Sequence, residues 1–205
     1  MAEEFDVPLG IRTGDIVLVR PQGPIGYAIA LLQVAGAVLT LRPKYPYSHA
    51  APVWARPEWP QEQDVTVDAA ANGLSANPLM DQVRGGASLV LLRPPFARPP
   101  DIEERAERWF KSQIGKVRYG FWEFLTLGIR CPLGWRPQDQ AGDEPRLRRR
   151  AICSAWTSRT ILELFGRDPI PWVGHRWTIP SDFADPEAKM TVLTRELKLK
   201  TATKG

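Results

Sequence analysis

Proline is the feature that most restricts how this chain folds. The chain has 205 residues and 20 prolines, which is about twice the average usage of roughly 5%. Proline ends helices and is excluded from the middle of most sheets because it has no backbone N–H. We therefore expect many loops and short secondary-structure elements rather than long helices.

The composition is that of a globular protein with a packed core. Hydrophobic residues make up 43% of the chain and charged residues 24%, which are ordinary values. Eight tryptophans exclude a fully disordered chain, and the length suits one domain. The two cysteines, Cys131 and Cys153, are too few for a disulfide scaffold, although a single bridge between them stays open.

The net charge of +4 belongs to the end of the chain. Residues 189–205 contain five basic residues and one acidic residue, and the first 188 residues contain 22 of each. A nucleic-acid-binding face would concentrate cations on the folded body, so we expect no nucleic-acid partner. We interpret 189–205 as a separate basic tail that is available to a protein partner.

One uncharged stretch, between Arg20 and Arg42, is long enough to span a bilayer. However, Pro24 is typical of a helix start and Gly36 of a helix end, which leaves a helix at 25–35 of core-helix length. We therefore favour a buried helix over a membrane span. The acidic N-terminus is unlike a secretory signal, so we expect a protein that is cytoplasmic, virion-associated or exported by another route.

Apolar runs separated by turn residues predict an α+β fold. Strands are predicted at 16–19, 47–54, 65–70 and 88–93, and helices at 25–35, 102–114, 118–129 and 152–165. The polar segment 136–150 predicts a loop. We see no internal repeat and no second domain, and we divide the chain into a lead-in (1–13), one domain (14–188) and the tail (189–205).

A cysteine and a histidine have the sequence context that cysteine chemistry needs. Cys153 begins a predicted helix, whose unpaired N–H groups and dipole favour the thiolate. His49 lies in a predicted strand and is the candidate base. Asp64 and Asp68 lie on one face of the next strand because side chains alternate, and the pattern does not choose between them. Taken singly, a cysteine or histidine in such a position is more often structural than catalytic.

The spacing of the other polar residues indicates neither a metal nor a phosphate site. The chain has no Cys-x-x-Cys or His-x-x-x-His pair and no glycine-rich phosphate loop. We therefore expect no metal and no cofactor. The second histidine, His175, falls in a Trp-containing loop, and we expect it at the surface.

Several short motifs occur in an order that points to a family. They are Gly14-Asp15, Tyr47-Ser48-His49-Ala50, Val67-Asp68-Ala69, the segment 115–119, Ile152-Cys153-Ser154-Ala155 and the segment 179–183. In this order they resemble the circularly permuted NlpC-type papain-like cysteine hydrolases, most of all the YiiX and YaeF group. The chain departs from the group's pattern at Gly120, where an Asp is common, and at Ala155, where a Glu is frequent.

The resemblance implies a permuted papain-like fold, with a small antiparallel sheet packed on helices and the nucleophile at a helix N-terminus. It implies Cys153 as the nucleophile, His49 as the general base and acid, and Asp68 rather than Asp64 as the residue that orients His49. We take Tyr47, Ser154 and Trp156, which flank the base and the nucleophile, as candidates for substrate contacts.

The resemblance also implies the reaction, which is hydrolysis of amide bonds, with peptidoglycan peptides as the first substrate class. A lipid-directed acyl hydrolase or transferase of the same fold is the second interpretation. The third is a protein without catalysis that retains the fold as an assembly module, for example in a phage particle. None of the three requires a metal or a cofactor.

Overall fold

A computed structural model of the chain describes residues 10–40, 47–55, 64–70, 72–120, 122–123, 126–127 and 150–197. Most of the predicted lead-in, nearly all of the predicted loop at 136–150, and Cys131 lie outside these residues. Within them the α+β class is confirmed, with one antiparallel sheet and four helices of six residues or more.

The sheet has six strands. They are β1 (Ile16–Val19), β2 (His49–Trp54), β3 (Val65–Ala70), β4 (Gly73–Pro78), β5 (Leu89–Arg93) and β8 (Thr191–Leu197). Their spatial order is β4-β3-β2-β1-β5-β8, and neighbouring strands are antiparallel. A separate parallel pair joins β6 (Arg118–Tyr119) to β7 (Arg150–Ala151).

Four helices accompany the sheet. They are α1 (Gly23–Thr40), α2 (Leu79–Arg84), α3 (Ile102–Gln113) and α4 (Cys153–Phe165). Three short 3-10 turns follow α4 at residues 175–177, 180–184 and 186–188. The α4 helix ends at Gly166, which has a φ of 67°, and the sequence predicts this end because glycine adopts the left-handed conformation without strain.

The central strand β1 is buried on both faces, as its uninterrupted apolar run predicts. Ile16 and Leu18 pack in the cluster that contains Ile152 and Ala155 of the α4 region. Val17 packs on the opposite face, in the cluster that contains the three buried residues of α2. The side chains of these three β1 residues have no exposed surface. The strand therefore packs against the α4 region on one face and against α2 on the other.

Gly14, immediately before β1, is required by its conformation and its surroundings. Its φ is +90°, and a Cβ atom added there would lie 2.7 Å from the ring of Phe165 at the end of α4. Such a contact is shorter than van der Waals packing allows. Glycine at this position therefore lets the start of the sheet and the end of α4 approach closely.

The helix predicted at 25–35 is longer than expected, because α1 continues through Gly36 to Thr40. The expectation of a buried helix is wrong for part of its surface, since Tyr27 is 64% and Leu31 70% exposed. A glycine inside a helix costs only about 1 kcal/mol relative to alanine, so Gly36 alone does not end the helix. Among the described residues, no helix is long and apolar enough to cross a membrane.

The helix predicted at 118–129 begins too early. Arg118 and Tyr119 form β6 instead, because they pair with β7 just before α4. The pair 122–123 and the pair 126–127 are helical, and the other residues from 121 to 129 lie outside the described part.

Among the helices and the strands of the six-stranded sheet, three elements have no counterpart in the sequence prediction. The β4 strand contains Gly, Ser, Asn and Pro, which disfavour strands, and it forms because it pairs along the whole of β3. The α2 helix has only six residues, which is too short for a periodic signal. The β8 strand lies in the segment predicted as a separate tail, where it pairs with β5, so the predicted domain boundary at residue 188 precedes the last strand of the sheet.

Candidate active site

A proline in β2 interrupts the ladder between β2 and β3. Val53 uses its backbone N–H and C=O on the β1 side, with Asp15 and Gly14 as partners, so the neighbouring Pro52 faces β3. Proline has no N–H to donate there. Within residues 49–54 and 65–70, backbone pairing of the two strands is confined to Val53–Thr66 and Trp54–Val65.

The first turn of α4 occupies the position where this ladder stops. The backbone N–H of Ala50 in β2 donates a hydrogen bond to the sulfur of Cys153. The indole Nε1–H of Trp156 donates to the carbonyl oxygen of Val67 in β3, at 2.9 Å. Each strand thus finds in α4 a partner that the other strand does not supply, and these bonds hold Cys153 beside the start of β2.

His49, the first residue of β2, joins the cysteine to an acid. Its Nε2 lies 2.8 Å from Oδ1 of Asp68, and its imidazole is also hydrogen-bonded to the Cys153 thiol. The three residues come from β2, β3 and the first position of α4. His49 and Asp68 share one face of the sheet because Val53 and Thr66 are paired and side chains alternate along each strand.

The Asp68 carboxylate is held by three further side chains, all of which bind its other oxygen. The donors to Oδ2 are Thr66 Oγ1 at 2.6 Å, Asn77 Nδ2 at 3.0 Å and Gln82 Nε2 at 3.1 Å. Such a set fixes both the orientation and the charge of the carboxylate. Thr66 lies on the same face of β3 as Asp68 because side chains alternate along a strand. Asn77 and Gln82 lie on β4 and α2, two elements that the sequence analysis did not predict.

The electrostatics favour a charged Cys153–His49 pair. Burial raises the pKa of the Cys153 thiol, but the charge and hydrogen bond of His49 and the N–H groups of Ala50 and Ser154 lower it below its usual value. Burial lowers the pKa of His49, but the Cys153 charge and the hydrogen bonds with Asp68 and Cys153 raise it to about 10. The pKa of Asp68 is lowered, because its bonds with His49, Thr66 and Asn77 outweigh burial.

The cysteine is nearly buried, whereas the imidazole beside it is partly exposed. Cys153 is 8% exposed, is not in a disulfide, and has no side-chain cap on its helix, whose N-cap residue is Ile152. The His49 side chain is 24% exposed. The open helix N-terminus leaves backbone N–H groups beside the sulfur.

Tyr119 in β6 places a hydroxyl group in the electrostatic field of the cysteine. Burial and the charge of Cys153 both raise the pKa of this phenol, so it stays protonated and is a hydrogen-bond donor. The sequence marked Tyr119 only as part of a motif, without assigning it a role.

Asp64, the less favoured orienting residue, lies at a different site. It is buried near Asp15 and Glu103, and burial together with these two carboxylates raises its pKa to about 6. Asp15 is bound by the Arg93 guanidinium at 2.8 Å. The structure therefore brings Asp68, and not Asp64, to His49.

Two of the three predicted substrate contacts are corrected by their burial. Ser154 has no exposed surface, and its hydroxyl donates to the Thr178 carbonyl at 2.6 Å. Trp156 is 2% exposed, binds Val67 and stacks on Trp109 with ring centroids 5.5 Å apart. Both residues hold α4 in place and are not accessible to a ligand.

Tyr47, the third predicted contact, lines a groove of about 560 Å³. The groove lies on the face of the sheet that α4 covers, since Val90 and Leu92 form part of it and pack in the same cluster as Ile152. Two exposed cations, Arg20 and Lys189, line it as well. Tyr47 precedes His49 by two residues, but His49, Cys153 and Asp68 are not among the described residues that line the groove.

The described residues contain no group of three or more His, Cys, Asp and Glu side chains arranged to hold a metal ion. His49 and Asp68 are bound to each other, and Cys153 is bound to His49. The donor set at the site therefore suits proton transfer between these groups.

Comparison with known proteins supports the fold. No family model matches the chain, and no curated protein matches it. Among solved structures, the chain is similar to the metalloprotein YiiX from Escherichia coli O157:H7, with a TM-score of 0.58 and 15% sequence identity over 89% of this chain and 96% of that one. The fold is thus YiiX-like, which confirms that part of the resemblance, and at this identity the likeness is one of fold alone.

Proposed function

We propose that this protein is a cysteine hydrolase that cleaves amide bonds, with Cys153 as nucleophile, His49 as general base and acid, and Asp68 as the residue that orients His49. The observation that carries the proposal is the two-sided bonding of His49, to the Asp68 carboxylate at 2.8 Å and to the Cys153 thiol. A nucleophile, a base and an orienting group in contact are the set that covalent catalysis requires. The order of base, acid and nucleophile along the chain suits a permuted papain-like arrangement.

The reaction follows from the charge state of the pair. The Cys153 thiolate attacks the amide carbonyl carbon, forming a C–S bond while the carbonyl electrons move to oxygen. The His49 imidazolium then gives its proton to the leaving nitrogen, and the C–N bond breaks. Water attacks the resulting thioester with His49 as base, which releases the carboxylic acid and restores the thiolate.

Two donors are suited to the developing oxyanion. One is the backbone N–H of Cys153 at the start of α4, where the helix leaves its first N–H groups without helical partners. The other is the Tyr119 hydroxyl, whose pKa is raised by burial and by the charge of Cys153, so that it stays protonated. We expect Tyr119→Phe to lower kcat more than it changes KM, because the bond to oxygen strengthens in the transition state.

We propose peptidoglycan peptides as the first substrate class, and purified sacculi test it. We expect the wild-type protein to release peptides with new ends and Cys153→Ala to release none. His49→Ala should lose nearly all activity, whereas Cys131→Ala should keep it. Intact sacculi after incubation with folded wild-type protein would exclude this substrate class.

Thiol reactivity tests the catalytic pair without a substrate. Because the pKa of Cys153 is lowered and that of His49 is raised to about 10, the thiolate should persist at mildly acidic pH. We expect iodoacetamide to label Cys153 faster than Cys131 at pH 6, as measured by peptide mass spectrometry. Equal labelling of the two cysteines would contradict an activated Cys153.

The groove favours a second candidate, a lipid-directed acyl hydrolase or transferase. Its apolar lining, which includes Phe183 and Met190, suits an acyl chain, and the cations Arg20 and Lys189 suit an anionic head group. Vesicles that contain an anionic acyl lipid, incubated in parallel with the sacculi and with Cys153→Ala as control, separate the two candidates. If neither substrate is cleaved and Cys153 is unreactive, the assembly module without catalysis is the remaining interpretation.

A further inference from the structure

One face of α4 is bonded twice to the segment 174–178. Ser154 and Ser158 lie one helical turn apart, and neither has exposed surface. The Ser154 hydroxyl donates to the Thr178 carbonyl at 2.6 Å, and the Ser158 hydroxyl lies 2.7 Å from Nδ1 of His175. Two bonds on the same face, one turn apart, resist both rotation of the helix about its axis and sliding along it.

His175 is buried, contrary to the surface position that its loop context predicted. It is 7% exposed, because the segment turns back on itself, with Trp177 N–H bonded to the Gly174 carbonyl, and packs against α4. Its second ring nitrogen, Nε2, lies 3.8 Å from the carboxylate of Asp168. The imidazole is thus held between α4 and the loop that follows it.

Ser158, His175 and Asp168 form a sequence of side chains like that of a serine hydrolase, but the burial of Ser158 excludes that role. A nucleophile must touch its substrate, and the Ser158 hydroxyl is sealed inside the helix packing. A role that acts through another residue fits the geometry, since Ser154 directly follows Cys153.

We propose that the segment 174–178 is a positioning element for Cys153, which it holds in line with His49 through Ser154 and Ser158. This inference rests on the proposed function, in that it takes Cys153 as the nucleophile. The lowered pKa of Cys153 depends on its alignment with His49 and with the N–H of Ala50. A small rotation of α4 would lengthen both contacts, and such contacts weaken steeply with distance and angle.

Ser158→Ala removes the outer of the two bonds without adding bulk. We expect the midpoint of the pH dependence of Cys153 alkylation to rise by about one unit, which makes alkylation about tenfold slower below the midpoint. The measurement is the iodoacetamide rate at Cys153 from pH 5 to 9, followed by peptide mass spectrometry.

Thr160→Val is the matched control on the same helix. Thr160 is also fully buried, but its hydroxyl accepts from Trp109 Nε1 at 3.1 Å, away from the 174–178 segment. We expect both variants to lose thermal stability, whereas only Ser158→Ala shifts the alkylation midpoint. Equal midpoints in the two variants would show that Ser158 acts on stability alone and would overturn the proposal.

His175→Asn and His175→Leu provide the rescue experiment. The asparagine amide stands where Nδ1 stood and retains a polar partner for Ser158, whereas leucine retains only bulk. We expect the midpoint to stay near the wild-type value in the first variant and to rise in the second. A wild-type Cys153 that is not alkylated at pH 6 would overturn the proposed function, whereas normal wild-type alkylation with unshifted Ser158→Ala and His175→Leu midpoints would overturn only the positioning role.

Discussion

At the scale of single residues, two aspartates at β3, Asp64 and Asp68, have pKa values that are shifted in opposite directions. Asp64 and Asp68 are both buried, and both follow the same alternation. The pKa of Asp68 is lowered by His49 and by hydroxyl and amide donors, whereas the pKa of Asp64 is raised to about 6 by burial and nearby carboxylates. Only the first environment stabilises a carboxylate, and so only Asp68 is suited to orient an imidazolium.

Removing the charge of Asp68 should impair catalysis. We expect Asp68→Asn to lower kcat/KM by about 100-fold or more, because the imidazolium loses its charged partner and its tautomer is no longer set. The alkylation rate of Cys153 at pH 6 should fall with it. The measurement is turnover of whichever substrate the wild type cleaves, with Asp64→Asn as the matched control; an equal loss in the control would contradict the assignment of Asp68.

Because of Asp64, the protein should be more stable in mild acid than at neutral pH. Its folded pKa, about 6, lies above the ordinary value of 3.8, so the folded state binds the proton more tightly than the unfolded state does. The charged Asp64 carboxylate therefore destabilises the folded state fully above about pH 6, and this loss of stability disappears as the pH falls toward 4.

We expect Asp64→Asn to raise the Tm by about 2–4 °C at pH 8 and by less at pH 5, as measured by thermal unfolding at both values. A gain that is the same at both pH values would contradict a titrating Asp64.

At the scale of elements, the close approach of α4 to the sheet explains the role of two residues, Pro52 and Gly14, that strand alternation does not explain. Pro52 removes a donor from the β2–β3 ladder, and α4 supplies Trp156 to the carbonyl of Val67. Gly14 lets the ring of Phe165 pack against the start of the sheet. The sequence shows a proline within one strand and a glycine before another. It does not show that α4 is the element that packs against both positions, because that depends on the tertiary structure.

The close contact at Gly14 can be separated from its backbone conformation. Gly86 has a similar φ of +85°, but a Cβ atom there would meet nothing within 4 Å. We expect Gly14→Ala to lower the Tm by about 5 °C or more and Gly86→Ala to lower it by about half as much, because only the first adds a clash to the strain. Equal losses in thermal unfolding would show that φ alone requires glycine at both positions.

At the scale of the whole molecule, the basic tail divides into two parts. Residues 191–197 form β8, which pairs with β5 and contributes Leu193 to the cluster under the sheet. Residues 198–205 contain three lysines and no acid. Within β8 the charges of Arg195 and Glu196 cancel, so the excess positive charge lies at Lys189 before the strand and at the three lysines after it.

Two truncations test this division. Ending the chain after residue 197 should leave the Tm within about 2 °C of the full-length value, whereas ending it after residue 188 should lower the Tm by about 5 °C or more, because β5 loses its outer neighbour. Thermal unfolding of both chains is the measurement. A full-length Tm after the longer deletion would show that β8 adds nothing to stability.

Prediction from the sequence reached the α+β class, four of the strands and the places of α1, α3 and α4. The expectation of short helices is wrong for α1, which has 18 residues. It could not reach β4 or α2, because β4 forms through its pairing with β3 and α2 is too short to repeat. Asn77 and Gln82, which bind Asp68, were missed with those elements. Ser154 and Trp156 were assigned to the substrate because adjacency in sequence does not reveal which side of a helix is buried.

The sequence by itself determined the residue chemistry: a cysteine at a helix start, a histidine in a strand, an acid in the next strand, and a body whose charges balance. The strand pattern left Asp64 and Asp68 open, the resemblance implied Asp68, and the tertiary structure brings Asp68 to the histidine. The tertiary structure alone decided which neighbours of the cysteine are sealed in the core. The reason is physical. Alternation and helical period act over a few residues, whereas His49 and Cys153 are joined by strand pairing and helix packing between segments about 100 residues apart.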